Sequence, residues 1–369
     1  MKIGIFGGSF DPVHNDHVGI VKEFKKVVGL DKVIVVPTYL SPFKGGHATD
    51  GAHRKKMLHL AFKNLPYVLI SDYELSREQK SYTYITVEHF KSLYPNDELY
   101  LLIGLDSLVT FLNWKNPQSI LSCCTLCVAG REGYDLKNEE SAFKEKSGLD
   151  IISFSYDGVI SSTYVRELLK LGCSPIQFVD LAVCEYIKTN GLYKGDKLYS
   201  YLISALKPSR LFHTAGVVAQ SISYAKKLGE SVDKAHIAGL LHDVAKYEKA
   251  EDYPECAIDK DVPSSVKHQF LGAYIAQKKL GIKDEEILNA IKYHTTGRPN
   301  MGIIEKIVFV ADLLEPSRNY EEVDYLRDMV NQDFESGFKL CVKRLLAYLN
   351  KSGDEIYYLT HETNEFYNK

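Results

Sequence analysis

No apolar stretch in the 369 residues approaches the roughly 20 needed to cross a bilayer, and no signal peptide precedes the first strand-like run. The sequence therefore predicts a cytoplasmic protein with no membrane partner. An excess of one charge is missing too. Lys and Arg number 45 against 48 Asp and Glu, a formal net charge of -3, and no basic stripe is interleaved with aromatics. Both points argue against nucleic acid as a partner and leave small phosphorylated molecules open. Internal repeats and low-complexity segments are absent, which excludes repeat arrays. The 7 cysteines are an odd count, unsuited to a disulfide framework. Cys123, Cys124 and Cys127 in SCCTLCVAG read as filling of a buried strand in a reducing compartment, with metal binding as the alternative. Tryptophan occurs once, as Trp114, and by residue chemistry alone it reads as core packing.

What is present is an ordinary globular balance, 45% hydrophobic and 25% charged, in a chain too long for one domain of usual size. Residues 1–195 alternate apolar, β-rich runs (KIGIFGG, KVIVVPT, YVLISDYEL, ELYLLIGLD, CTLCVAG) with helical patterns such as DHVGIVKEFKKVVG. That alternation predicts an α/β domain with a doubly wound parallel sheet. Beyond NGLYKGD, residues 196–369 hold no convincing strand. They read as successive helices opened by Ser or Asp and closed by Gly or Pro, an all-α domain.

The first run ends in a glycine turn, Gly7 and Gly8, and two histidines follow at the start of a helix, His14 and His17. Glycines let backbone N–H groups approach phosphate oxygens at a helix N-terminus. The spacing of Gly4, Gly7 and Gly8 is wrong for the dinucleotide fingerprint, and no Gly-Lys-Ser/Thr completes a P-loop. A second hydroxyl-rich helix start, ISSTYVRE, sets Arg166 one turn beyond Ser162 and reads as another anion clamp.

GGSFDPVHNDH, SPFK, KSYTYIT, IGLDSLVTFLNW, GREG, ISSTYVRE and VCEYIKTNGLY follow one another in the order found in bacterial nicotinate-nucleotide adenylyltransferases. Residues 1 to about 193 resemble that family, which belongs to the nucleotidyltransferases with the HxGH motif. The resemblance implies transfer of AMP from ATP to nicotinate mononucleotide, giving nicotinate adenine dinucleotide and pyrophosphate. The attacking phosphate is already ionised, so such an enzyme needs donors around the α-phosphate and no covalent nucleophile. By the resemblance His14, His17, Lys44 and Arg166 are catalytic, and Gly7, Gly8, Ser9, Phe10, Asp106, Arg131, Ser162 and Thr163 bind ATP. Thr83 and Trp114 would bind the nicotinate part, and Mg2+ would arrive with ATP. Two positions depart from the family: Asp16 replaces its glycine between the histidines, and Phe43 stands where it usually has a histidine. Thr83 and Trp114 argue against another phosphate acceptor such as phosphopantetheine.

In the second half, His213, His242, Asp243, His268, His294 and Asp312 sit among apolar residues on predicted helices. Burying six such groups together without a cation is very costly, which predicts a metal site. These residues match the HD-domain phosphohydrolases. RLFHTAGV, AGLLHDVAK, KHQFLGA, AIKYHTTGRPNM and EKIVFVADLLEPSR further resemble bacterial enzymes that split diadenosine tetraphosphate (Ap4A) symmetrically into two ADP. That resemblance implies two transition-metal ions, iron by preference, and assigns the nucleotide phosphates to Arg210, Lys246, Thr295 and Arg318. Another nucleotide phosphohydrolase, or a nucleotide sensor acting on the transferase, remains the alternative. His236 falls off the ligand face of its helix and reads as solvated. The fusion itself suggests that Ap4A formed by adenylyl transfer to ATP is removed by the attached hydrolase. Residues 331–369 carry no motif, and assembly into a homo-oligomer is left open.

Overall fold

A computed structural model describes every residue except 41–48, 131–135, 157, 159, 260 and 354. The chain forms two compact units, Met1–Val165 with Pro175–Tyr193, and Arg166–Ser174 with Lys194–Lys369. No helix among the described residues is long and apolar enough to cross a membrane.

In the first unit six strands, β1 (Lys2–Gly8), β2 (Lys32–Pro37), β3 (Val68–Ile70), β4 (Glu98–Gly104), β5 (Thr125–Gly130) and β6 (Ile152–Ser155), form one sheet. Their order is β3-β2-β1-β4-β5-β6, and every pair is parallel. The helices are α1 (Asn15–Val28), α2 (Gly51–Ala61), α3 (Tyr73–Arg77), α4 (Thr83–Leu93), α5 (Leu105–Phe111), α6 (Pro117–Cys123), α7 (Leu136–Ser147), the start of α8 (Ser162–Lys170), and α9 (Leu181–Thr189). Alternation along β1 serves both faces of the sheet. Ile3 and Ile5 join Ile34, Leu101, Phe90 and Phe111 in one core cluster. On the other face Gly4 approaches Phe24 and Leu30 so closely that a Cβ would lie 2.6 Å from each. Burial on both faces explains why the central strands are continuous apolar runs. The direction of winding reverses between β1 and β4, which places their carboxyl ends at the crevice where such sheets bind ligands.

Two strand expectations change. YVLISDYEL keeps only Val68–Ile70 as strand, because β3 is an edge that pairs with β2 alone, and the chain turns into α3. β6, half polar and four residues long, has no sequence signature; pairing with β5 makes it a strand. The cysteine trio is also split. Only Cys127 lies in a strand, whereas Cys123 ends α6 and Cys124 links the two elements. Burial pushes the Cys124 and Cys127 thiols up to about 12, which leaves them inert.

The second unit takes the rest of α8 and adds α10 (Lys197–Ala205), α11 (Pro208–Leu228), α12 (Val232–Leu241), α13 (Ser264–Lys278), α14 (Glu285–Lys292), α15 (Ile303–Leu314), α16 (Val323–Gln332), α17 (Phe334–Ser352) and α18 (Tyr358–Tyr367). Its described residues contain no strand. His242, Asp243 and His294, expected on helices, lie just past the ends of α12 and α14. The imidazoles themselves compete with the helical ladder. His242 Nδ1 takes the Gly239 carbonyl at 2.7 Å and His294 Nδ1 takes that of Ile291 at 2.8 Å, the acceptors the next helical N–H groups would use.

His236 is a second correction, because its side chain is only 26% exposed and is bound to protein groups. Its Nε2 lies 2.7 Å from the Tyr199 hydroxyl and 3.6 Å from Glu167 Oε2. Glu167 is only 2% exposed and needs donors. Burial pushes its carboxyl up, yet His236 and Lys170 together hold it down at about 2.

Candidate functional site

The loop from β1 to α1 is shaped by its small and buried residues. Phe10 adopts a left-handed backbone (φ 49), and its buried ring packs edge-on against Phe6 and His17. A Cβ on Gly8 would stand 2.9 Å from that ring, so only glycine fits there. What Phe10 offers a ligand is therefore its backbone. His14 is the N-cap of α1, and its backbone N–H donates to His17 Nδ1 at 3.2 Å. His17 thus does what the acidic residue of a capping box does. With Nδ1 accepting, neutral His17 carries its hydrogen on Nε2 and presents it as a donor.

The two imidazoles lie 3.7 Å apart, centroid to centroid. Burial pushes His14 down to about 3, so it is neutral, and its Nδ1 is buried with no hydrogen-bond partner among the described residues. Such an atom fits a ligand that supplies a partner.

The loop is braced from below by residues that sequence reasoning missed. Arg54, 1% exposed, donates to the carbonyls of Ser9 (2.8 Å), Thr38 (2.7 Å) and Thr49 (3.3 Å). The Tyr193 hydroxyl donates to buried Asp11 at 2.7 Å. One signal was available, an arginine beside the core residues Met57 and Leu58 in a helical segment.

Ser162 opens α8 and donates through Oγ to the Pro12 carbonyl at 2.9 Å, which ties the second hydroxyl-rich helix start to the first loop. Thr163 and Arg166 follow on α8. Asp16 accepts from the Ile160 N–H at 2.7 Å, so the carboxylate that replaces the family's glycine holds the segment before α8. Asp106 is exposed in the first turn of α5, directly after β4. Thr83 is the first residue of α4, and half-buried Trp114 packs against Phe111 at 5.2 Å. Lys115 Nζ lies 4.5 Å from the Tyr82 ring centre, which brings the segments carrying Thr83 and Trp114 together. Lys44, Arg131 and Phe43 lie outside the described residues.

In the second unit the six expected ligands converge and divide into two groups that could each hold a metal ion: His213, His242 and Asp312, and Asp243, His268 and His294. Asp243 faces both. Its Oδ1 lies 3.2 Å from His268 Nε2 and 3.5 Å from His294 Nε2. Its Oδ2 lies 3.4 Å from His242 Nε2 and 4.0 Å from His213 Nε2.

The donor set fits cations. A carbonyl can only accept, so the Nδ1 atoms of His242 and His294 carry the hydrogens and their neutral rings aim bare Nε2 atoms inward. His242 and His213 oppose Nε2 atoms at 3.3 Å, and so do His268 and His294. Asp243 Oδ1 is buried with no hydrogen-bond donor among the described residues. Burial pushes the Asp243 and Asp312 carboxyls up, but the facing histidines hold both well below the usual carboxylate range. Burial likewise drives His242 down and His268 to about 4, states suited to coordination.

The four expected phosphate contacts surround this cluster. Arg210 donates to Asp243 Oδ2 at 2.8 Å and Arg318 to Asp312 Oδ1 at 2.7 Å. Lys246 Nζ lies 3.1 Å from His268 Nε2, and Thr295 Oγ1 lies 3.0 Å from His294 Nε2.

Glu315 is a residue the sequence reading missed. Buried at 1% exposure, it faces His213 Nδ1 at 3.1 Å and accepts from the Ser317 N–H at 2.7 Å. Its spacing in ADLLEPSR, one turn beyond Asp312, was the available signal. Carboxylates of this kind orient a ligand ring and raise its basicity. Glu315→Gln is expected to weaken metal binding at the His213 group by about 10- to 100-fold with the fold intact. Manganese titration alongside circular dichroism checks this.

Comparison with known proteins agrees with both halves. The cytidylyltransferase-like family matches residues 5–168 and the HD domain matches residues 210–317. A Mycoplasma genitalium protein described as "Probable nicotinate-nucleotide adenylyltransferase/Ap4A hydrolase" is 32% identical over 355 residues, 93% of this chain and 97% of its own length. A Clostridium botulinum protein described as "Probable nicotinate-nucleotide adenylyltransferase" is 37% identical over 201 residues, covering 53% of this chain and 99% of its own. The Bacillus subtilis "Bis(5'-nucleosyl)-tetraphosphatase, symmetrical" is 33% identical over 159 residues, 41% of this chain and 86% of its own. Similarity that runs through both halves without a large gap in coverage means that the chain belongs to the family of two-part proteins described as nicotinate-nucleotide adenylyltransferase/Ap4A hydrolase.

Proposed function

We propose that residues 1–195 transfer AMP from ATP to nicotinate mononucleotide and that residues 196–369 hydrolyse Ap4A symmetrically to two ADP. One contrast carries this reading: the first site offers imidazole donors at a helix start, whereas the second presents bare nitrogens and carboxylate oxygens to one another. The first suits an anion and the second suits cations.

In the transferase the mononucleotide phosphate attacks the α-phosphorus in line, the bond from that phosphorus to the bridging oxygen of the β-phosphate breaks, and pyrophosphate leaves. His14 and His17 donate to the oxygens on which charge builds, while Lys44, Ser162 and Arg166 hold the β- and γ-phosphates of the ATP–Mg2+ complex. Gly7, Gly8, Ser9, Phe10 and Thr163 shape the cradle, and Arg131 serves ATP binding. Asp106 binds the adenosine ribose, and Thr83 and Trp114 hold the nicotinate ring.

In the hydrolase, His213, His242, Asp243 and Asp312 would hold one ion and Asp243, His268 and His294 the other. Two divalent ions, iron by preference, supply there the positive charge that activates water and neutralises phosphate oxygens. Arg210, Lys246, Thr295 and Arg318 bind the polyphosphate and orient it.

The test is to strip tightly held metal from the whole protein, add back iron, manganese or magnesium, and assay each reaction separately. Adenylyl transfer is expected to follow magnesium and Ap4A hydrolysis the transition metal. Equal loss of both on stripping, with folding intact, would refute the division between two sites.

A further inference from the structure

The C-terminal helix α18 has no place in either motif set, yet it packs on the segment that follows His294. His294 and Thr295 lie near the start of an irregular stretch that begins at Tyr293 and ends only where α15 starts at Ile303. Beyond the end of α14 the local bonds are the His294 ring to the Ile291 carbonyl and the Gly297 N–H to that of Tyr293 at 2.9 Å, and tertiary contacts complete the support.

On one side buried Gln269, the neighbour of His268 on α13, accepts from the N–H groups of Thr295 (3.1 Å) and Thr296 (3.3 Å) and donates to Thr296 Oγ1 (3.0 Å). On the other side stands α18. The Met301 N–H donates to the Tyr367 hydroxyl at 2.5 Å. Gly297, at φ +66, lies against fully buried Thr363: a Cβ there would meet Thr363 Cγ2 at 2.6 Å. The Tyr367 ring is itself fixed, edge-on to Phe338 at 4.8 Å, with Lys306 Nζ 5.4 Å from its centre.

We propose that Tyr367 and Thr363 are positioning residues, and that α18 sets the placement of His294 and Thr295 relative to Asp243 and His268. A ligand set works only within about half an ångström of its productive geometry, and His294, like Asp243, lies past the end of its helix. The inference rests on the two-metal reading of the second unit. It gives residues 358–367 a role in that site.

The experiment titrates metal-free full-length protein with manganese and follows Ap4A hydrolysis, adenylyl transfer and thermal stability in Tyr367→Phe. The control is Tyr348→Phe, an exposed tyrosine on α17. Thr363→Ser, which removes only the methyl against Gly297, is the second variant should Tyr367→Phe fold poorly. Wild type is expected to bind two manganese ions per chain. Tyr367→Phe should weaken one of them by about 10-fold and raise KM for Ap4A more than it lowers kcat, with adenylyl transfer and the control unchanged.

Both ions binding as in wild type, or both weakened alike, overturns the inference, whatever happens to stability. Wild-type protein that binds no pair of ions would instead overturn the two-metal reading itself, so the two failures are distinguishable.

Discussion

Asp243→Asn is expected to lower Ap4A hydrolysis by about four orders of magnitude and to leave adenylyl transfer within about twofold of wild type. Asp243 alone among the six candidate ligands shows one oxygen to each histidine pair, His268 and His294 on one side and His242 and His213 on the other. Asparagine keeps the shape but removes the charge and turns one of those oxygens into an N–H donor, which cannot coordinate. It also faces Arg210, which donates to Asp243 Oδ2 at 2.8 Å, with an uncharged partner. Two measurements check the prediction: metal content per chain, expected to fall for both ions, and ADP release from Ap4A. Retention of two ions with undiminished hydrolysis would show that Asp243 does not bridge the groups. The same variant, incubated with ATP alone, tests whether the transferase makes Ap4A that the hydrolase normally removes. Tetraphosphate should accumulate in the variant and not in wild type, and its absence from both would count against that idea.

The second large effect belongs to His14→Ala, expected to slow adenylyl transfer by about 10²- to 10³-fold, the usual cost of one donor at a charge that builds in the transition state. Ap4A hydrolysis should be unchanged. The variant should also alter the acid limb of stability, and the sign follows from burial. His14 is pushed from 6.5 down to about 3 in the folded protein, so between those values the unfolded chain binds a proton that the folded one refuses. This residue's share of stability is therefore complete above pH 6.5 and is lost as pH falls toward 3. His14→Ala lacks that dependence, and its thermal midpoint should fall less steeply than that of wild type across the window. Identical slopes would mean that the ring is not held neutral.

Legibility differed between the two sites for a physical reason. The glycine turn, His14 and His17 all lie within one strand-to-helix connection, so local spacing alone places them together. Arg54 is outside that connection, and nothing in GAHRKKMLHLA says that its guanidinium reaches three carbonyls on separate segments. The six candidate metal ligands were recognisable as buried polar residues in apolar surroundings, but all six were expected on helices, and His242, Asp243 and His294 lie just past helix ends. A ring that captures its own helix's carbonyl ends that helix, and periodicity carries no record of it. His236 was misread for a related reason, since its partners Tyr199 and Glu167 lie 37 and 69 residues away in the chain.

By itself the sequence determined the two-part order, parallel sheet then helices, and it set the candidate phosphate-binding residues in the first part and the candidate metal-ligating residues in the second. These follow from residue type, local periodicity and short-range spacing, which survive in a linear string. Only the tertiary structure decided how six candidate ligands divide around Asp243, that Glu315 sits behind His213 across 102 residues, and that the C-terminal helix lies on the segment after His294. Those arrangements depend on which side chains packing brings within hydrogen-bond reach, and distance along a chain says nothing about distance in a core.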